Sequence, residues 1–244
     1  MTFDRKTLDA DNKVHLAEQV KDAYLAQLAR DFVVVSDKYN YAYQWTWCDL
    51  PILQLPQDVL ATQEIIFRCR PTVIIETGVA WGGGIALYAT LMDLLGGRLV
   101  VGVDLNLADS VVADVEAVGF KTPVDFYRGS STSQDVFGSI AASLKPDDRV
   151  MVLLDSNHTH AHVLDELRLY ARLVTPGQYC IVSDTIVEFI PTQDHRPRPW
   201  GQGDNPMTAV RSFLSESDAF EIDKELDDRL LMSFNPSGYL RRRP

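Results

Sequence analysis

The sequence has little of what marks a secreted, membrane-bound or nucleic-acid-binding chain. Cysteine occurs three times in 244 residues, at Cys48, Cys69 and Cys180. The number is odd and no pair has CxxC spacing, so neither a disulfide framework nor a thiolate zinc site is expected. Cys69 and Cys180 lie in apolar runs, where a reduced, buried thiol is the ordinary state. No apolar run approaches a membrane span, and the N-terminal MTFDRKTLDADNK has no core of signal-peptide length. Basic charge is in deficit: 23 Lys and Arg stand against 34 Asp and Glu, for a net charge of −11. That field repels a polyanion, so nucleic acid is not an expected partner. The one dense basic run, Arg241-Arg242-Arg243, reads as a solvated tail. Repeats and low-complexity segments are missing as well. A reducing cytoplasm is the expected location.

What is present is a globular composition, 46% hydrophobic and 23% charged, enough for one large core with an extension. From Asp11 to about Phe32, apolar residues recur at helical spacing. Tyr39, Tyr41, Tyr43, Trp45 and Trp47 then alternate, which predicts an extended arm with one packed face. Pro56 opens a helix with Asp58 in its first turn, and Pro71 closes it. Residues 1–58 are therefore expected to form an N-terminal helix and aromatic arm, and residues 59–244 the main domain. Apolar surface on the N-terminal part makes a homo-oligomer the expected assembly.

From Thr72 the pattern alternates. Short β-branched runs at 72–76, 99–104, 124–127, 151–155 and 179–184 are separated by helical segments. This predicts an α/β fold with a doubly wound, mostly parallel sheet. After a helix near 206–215, residues 220–226 and 229–234 flank Asp227-Asp228 and predict a C-terminal antiparallel hairpin, for seven strands. A parallel sheet finished in this way is the Rossmann-like architecture of class I methyltransferases. A dinucleotide dehydrogenase usually continues with parallel units.

Three clusters at predicted strand ends can carry chemistry. Glu76-Thr77-Gly78-Val79-Ala80-Trp81-Gly82-Gly83-Gly84 follows the first strand. Its glycines allow close approach of backbone to a ligand, and Glu76 suits the cationic methionine part of S-adenosylmethionine. The spacing is neither the dinucleotide G-x-G-x-x-G nor a P-loop. Asp104 ends the second strand, placed to accept hydrogen bonds from ribose hydroxyls, with Ser130 and Ser131 after the third strand expected near the adenine. Asp155 and Asp184 end the fourth and fifth strands, where two carboxylates can hold one hard cation, Mg²⁺ above all. His158, three residues after Asp155, is placed to act as general base on a substrate hydroxyl. His160 and His162 read as a helix surface or cap. Zinc is the lesser alternative, since His158 and His162 lack the Glu of HExxH.

Together, IIETGVAWGGG, VVGVD, LLDSNHTHAHVLDEL, VSDTIVE and RPWGQGDNP resemble the cephalosporin hydroxylase / rhamnosyl O-methyltransferase family, over about residues 39–240. The segment DSNHTHAHV is also similar to the metal and base segment of macrolide-sugar O-methyltransferases. The resemblance implies S-adenosylmethionine, a small-molecule or glycan acceptor, Asp155 and Asp184 as metal ligands and His158 as base. Related members often carry Glu-Asp where this chain has Ser183-Asp184, one carboxylate fewer. The expected activity is cation-assisted O-methylation of a sugar, glycan or related natural product. The rivals are a nucleotide-cofactor oxidoreductase and a non-catalytic cofactor-binding subunit of a biosynthetic complex. The loop from Thr185 to Asn205, with Pro191, Pro197 and Pro199, is expected to border the acceptor.

Overall fold

The computed structural model describes residues 4–193 and 196–244. The β-branched runs become the strands β3 (Val73–Thr77), β4 (Leu99–Asp104), β5 (Val124–Arg128), β6 (Val150–Leu154) and β7 (Tyr179–Val182) of one sheet. All five are parallel to their neighbours among themselves, with β3 in the middle pairing β4 on one side and β6 on the other. Alternation along each strand builds two cores. Ile74, Val100, Met151 and Ile181 face α3 (Pro56–Cys69), α4 (Gly83–Leu95) and α5 (Asp109–Val118). Val73, Ile75, Val101, Val152 and Val182 face α6 (Gln134–Ser143), α7 (His160–Tyr170) and α8 (Pro206–Glu216). The same alternation turns Glu76 to the α4 side, which decides what it meets.

The sheet is completed by β8 (Phe220–Ile222) and β9 (Tyr239–Arg242), in the order β5-β4-β3-β6-β7-β9-β8. β9 is antiparallel to both β7 and β8. The seven strands and the antiparallel C-terminal pair are as expected, but the second strand is not at 229–234. Asp223 accepts a hydrogen bond from Leu226 N–H and caps a short helix, α9 (Lys224–Arg229), in place of the end of the expected 220–226 strand and the turn after it. The strand forms instead at Tyr239 and Leu240, both buried, so the Arg241-Arg242-Arg243 run is not a free tail. Arg242 donates to the Val174 carbonyl, and Arg243 pairs with Glu221.

The N-terminal part also departs from expectation. One helix becomes two, α1 (Arg5–Gln19) and α2 (Ala23–Asp37), because Asp22 accepts from Leu25 N–H and starts a new helix. The aromatic stretch is not extended: Tyr41–Gln44 forms a 3₁₀ turn in which Tyr41 meets Phe32 and Trp45 edge to face, at 5.5 and 5.7 Å between centroids. A small hairpin follows, β1 (Thr46–Trp47) with β2 (Leu50–Pro51). It seats on the start of α4, where a β-carbon at Gly83 would lie 2.3 Å from the Pro51 carbonyl. The arm therefore walls the end of the sheet at which the parallel strands finish. Among the described residues, no helix is long and apolar enough to cross a membrane.

Candidate active site

The carboxyl ends of β3, β6 and β7 open into one cavity of about 300 Å³, lined by the strand ends, the arm and the loop after β7. Hydrogen bonds continuing the ladders fix the turns at its floor. Gly78 N–H donates to Val103 O at 2.7 Å, Asp155 N–H to Thr77 O at 2.9 Å, and Ser183 N–H to Leu154 O at 2.9 Å.

Glu76 and Gly78 line one part of the cavity. Glu76 is buried, and its Oε1 accepts from the Tyr88 hydroxyl of α4 at 2.8 Å. Its Oε2 is buried with no partner. An unpartnered carboxylate oxygen on a residue that lines a cavity suits a cationic donor. Gly84 makes the room, since a β-carbon there would lie 2.5 Å from Glu76 Oε1. Gly78 has φ +90°, and a β-carbon on it would lie 2.0 Å from the Asp155 carbonyl oxygen. Two strand-end turns thus pass at backbone contact, which only glycine allows. Tyr88 was not singled out in the sequence, although a hydroxyl in the middle of an apolar helix was a signal for it.

Asp155, His158 and Asp184 form the second part. One ligand atom from each lies within 4.8 Å of the others. His158 Nε2 is 3.2 Å from Asp184 Oδ2, and the imidazole packs edge-on against Trp200, 4.8 Å between centroids. Asp184 holds a left-handed conformation, φ 57°. Two carboxylates and an imidazole that close are a donor set for one divalent cation. The Ser183 hydroxyl lies beside Asp155 and favours its ionised form.

The remaining expected residues lie outside that cavity. Asp104 accepts from Val79 and Ala80 N–H at 3.0 and 3.2 Å and from Asn106 N–H at 2.7 Å, so it shapes the glycine turn. Two carboxylate oxygens offer about four acceptor sites, which leaves capacity for a hydroxyl. Gly82, φ +83°, caps α4 and packs on Val115. Ser130 bonds Thr132 at 2.9 Å. Ser131 is buried, with its hydroxyl 3.1 Å from His162 Nε2. His162 is not a helix-surface residue: it is half-buried, within 3.6 Å of Glu166 and 3.1 Å of Ser156. His160 bonds Thr208 at 2.8 Å.

The described residues of the loop after β7 roof the cavity; residues 194 and 195 lie outside them. Val187, Ile190, Gln193, Arg196, Arg198 and Trp200 all line the cavity. Arg196 pairs with Asp37 at 2.7 Å and donates to the Tyr43 hydroxyl, tying the roof to α2 and the arm. Cutting that tie by Arg196→Ala is expected to raise proteolytic cleavage within 190–205 several-fold while leaving the core's melting temperature within about 2 °C. Unchanged cleavage would show that the pair does not hold the roof.

Electrostatics at the floor set a pH dependence. Burial pushes the Asp58 carboxyl up to about 6, and burial with neighbouring carboxylates pushes Glu76 and Asp155 well above the usual range. A carboxyl whose folded value is raised binds its proton more tightly in the folded chain, so stability falls as pH rises through the raised values. His162, held up mainly by its hydrogen bond to Glu166, acts in the same direction. The ligand-free protein is therefore expected to melt at a lower temperature at about pH 7.5 than at about pH 5, and Glu76→Gln to flatten that slope. A melting temperature that rises over this window would contradict it.

A family model described as Rhamnosyl O-methyltransferase/CmcI matches residues 39–243. The rhamnosyl O-methyltransferase of Mycobacterium leprae is 27% identical over 202 residues, covering 81% of this chain and 83% of the relative. That of Mycobacterium tuberculosis is 28% identical over 188 residues, covering 76% and 73%. Among solved structures, CmcI with Mg and S-adenosylmethionine superposes with a TM-score of 0.57 at 18% identity, over 83% of this chain and 78% of that one. The SAH-bound methyltransferase of Podospora anserina superposes with a TM-score of 0.52 at 13% identity, over 91% of each chain. These superpositions show the shared fold. With the family model spanning the whole sheet and every residue of the cavity floor, the chain belongs to the rhamnosyl O-methyltransferase/CmcI family.

Proposed function

We propose that the protein is an S-adenosylmethionine-dependent O-methyltransferase that methylates a hydroxyl of a sugar or glycan, assisted by a divalent cation. The observation that carries this is the sharing of one cavity by the orphaned Glu76 oxygen and the Asp155–His158–Asp184 cluster. Mycobacterial relatives named for rhamnosyl O-methylation, and a CmcI structure with Mg and S-adenosylmethionine, support the same chemistry. The oxidoreductase alternative is set aside by the family match and by β9 lying antiparallel inside the sheet edge.

S-adenosylmethionine supplies a methyl on a sulfonium, so transfer is a direct displacement whose rate comes mainly from alignment. Glu76 Oε2 is placed to accept from its ammonium, and the open backbone at Gly78 gives it room. Asp104, beyond the glycine turn, retains acceptor capacity for ribose hydroxyls. Asp155 and Asp184 would hold a divalent cation, which would supply Lewis acidity to a substrate hydroxyl. In the His158 tautomer protonated on Nε2, that N–H donates to Asp184 Oδ2 and Nδ1 carries the free lone pair. That nitrogen can take the hydroxyl proton as the methyl moves. Trp200 packs edge-on against the ring.

The test is transfer of isotopically labelled methyl from S-adenosylmethionine across a panel of glycans and nucleotide sugars, with and without EDTA. Transfer that EDTA abolishes and Mg²⁺ restores is expected. Full activity in EDTA would remove the cation, and a protein that binds the cofactor but methylates only non-sugar hydroxyls would remove the acceptor class.

A further inference from the structure

We propose that Asp58 is a positioning residue for Asp184: it holds the second carboxylate of the cation site through the Ser233–Asn235 turn and sets a further negative charge behind it. The inference rests on the cation site proposed above.

An acid in the first turn of a helix ordinarily faces water, where it meets the positive end of the helix dipole. Asp58 has that position in α3 but is only 1% exposed. Its oxygens serve a distant segment. Oδ1 accepts from the Ser233 hydroxyl at 2.5 Å and the Tyr239 hydroxyl at 2.8 Å, and Oδ2 accepts from Phe234 N–H at 2.8 Å. Those groups fix Asn235, itself buried, from two sides. Asn235 N–H donates to Ser233 Oγ at 2.9 Å, and its Nδ2 donates to the Tyr239 hydroxyl at 3.4 Å. Its Oδ1 then accepts from Asp184 N–H at 3.1 Å.

The turn grips both flanks of Asp184. Ile186 N–H donates to Phe234 O at 3.0 Å, and Thr185 Oγ1 to Pro236 O at 2.6 Å. On the other side, Val182 N–H donates to Gly238 O at 2.8 Å, an approach so close that a β-carbon at Gly238 would lie 2.2 Å from Val182 O. A non-glycine residue in the left-handed region persists when its surroundings over-determine it. Here the surroundings are this turn: Asp58 holds its Ser233–Phe234 side, and Asp227 holds Ser237 on the other. The same conformation brings the Asp184 carboxylate to Asp155 and His158.

Charge adds to position. Asp58, Asp155 and Asp184 all line the cavity, and Asp58 and Asp155 each feel Asp184 as a like charge. Asp58 joins Glu76, Asp155 and Asp184 on one cavity, where like charges are unfavourable together until a cation enters, so it raises the site's preference for a divalent ion. Among the described residues, only Asp155 and Asp184 place carboxylate oxygens within direct reach of it. Asp58 acts from outside that shell.

The experiment measures Mn²⁺ affinity by electron paramagnetic resonance of the free ion, with S-adenosylmethionine affinity and melting temperature in parallel. Asp58→Asn keeps the size, removes the charge and turns one of the two accepting oxygens into a donor. It is expected to weaken Mn²⁺ binding by about 10–100-fold, the usual effect of losing an outer-shell partner, with cofactor affinity unchanged. Asn235→Ala leaves Asp58 and its charge in place but frees Asp184 N–H, and a similar weakening is expected. The rise in melting temperature on adding Mn²⁺, present in the wild type and absent in Asp184→Ala, should shrink in both variants. A merely structural Asp58 would lower the melting temperature equally with and without Mn²⁺ and leave the affinity alone, which overturns the inference. If Asp58→Asn does not fold, Asn235→Ala decides: wild-type Mn²⁺ affinity there overturns it. A wild type that binds no Mn²⁺ overturns the cation site and this inference together.

Discussion

Replacing His158 by alanine is expected to lower turnover by about 10²–10⁴-fold, the usual contribution of a general base, with cation and cofactor affinities unchanged. The imidazole lies against Asp184 and Trp200 at the cavity wall, and neither contact holds up the sheet. Asp155→Ala and Asp184→Ala should fail differently. Each removes one of the two carboxylates proposed to hold the ion, so cation affinity and activity are expected to fall together while S-adenosylmethionine still binds. Parallel measurements of kcat, Mn²⁺ affinity and cofactor affinity for the three variants separate the roles. Wild-type turnover for His158→Ala, where chemistry limits the rate, would remove the base. Loss of the cation in His158→Ala would make His158 a ligand instead.

The second large effect is expected at Gly78. Valine there needs φ +90° from a β-branched residue and sets its β-carbon 2.0 Å from the Asp155 carbonyl. Strain of this kind costs about 1–3 kcal/mol before the overlap is counted, and each 1.4 kcal/mol is tenfold in an equilibrium. Relief can come only by parting the β3 and β6 turns, which separates Glu76 from Asp155. S-adenosylmethionine affinity is therefore expected to fall by about 100-fold or more, read by calorimetry. Gly96→Ala is the control: it also has positive φ, but nothing lies within 4 Å of its β-carbon, and it is far from the cavity. Equal losses at the two glycines would show that backbone strain alone, and not the contact of the two turns, is being measured.

The parts of this site that were legible in the sequence are those written in local pattern. A run such as Thr72–Glu76 is a buried parallel strand by composition, and the chain must turn where it ends, so Glu76, Gly78, Asp104, Asp155 and Asp184 fall at the same edge of the sheet. What local pattern does not carry is pairing across the chain. Asp58 looks like any first-turn helix acid, and its meaning depends on Ser233, 175 residues away. His162 looks like a surface histidine until Glu166, Ser156 and Ser131 close around it. Asp104 was expected to meet ribose, and local spacing gave no sign that Val79 and Ala80 also use it. The last strand was misplaced for a related reason. Tyr239-Leu240 is too short to register as a strand alone and is made one by the β7 and β8 edges on either side. The polar Lys224–Arg229 run, capped by Asp223, is a helix where the end of a strand and a two-residue turn are expected.

The central claim is that one cavity holds the sulfonium methyl and the cation side by side. It can be tested without knowing the acceptor, by nuclear magnetic relaxation of the S-methyl protons of bound S-adenosylmethionine as Mn²⁺ is titrated into the protein. Strong paramagnetic broadening of that resonance is expected, reversed by excess Mg²⁺ and absent in Asp184→Ala, which still binds the cofactor. Cofactor that binds with an S-methyl resonance indifferent to Mn²⁺, or broadened equally in Asp184→Ala, would contradict it.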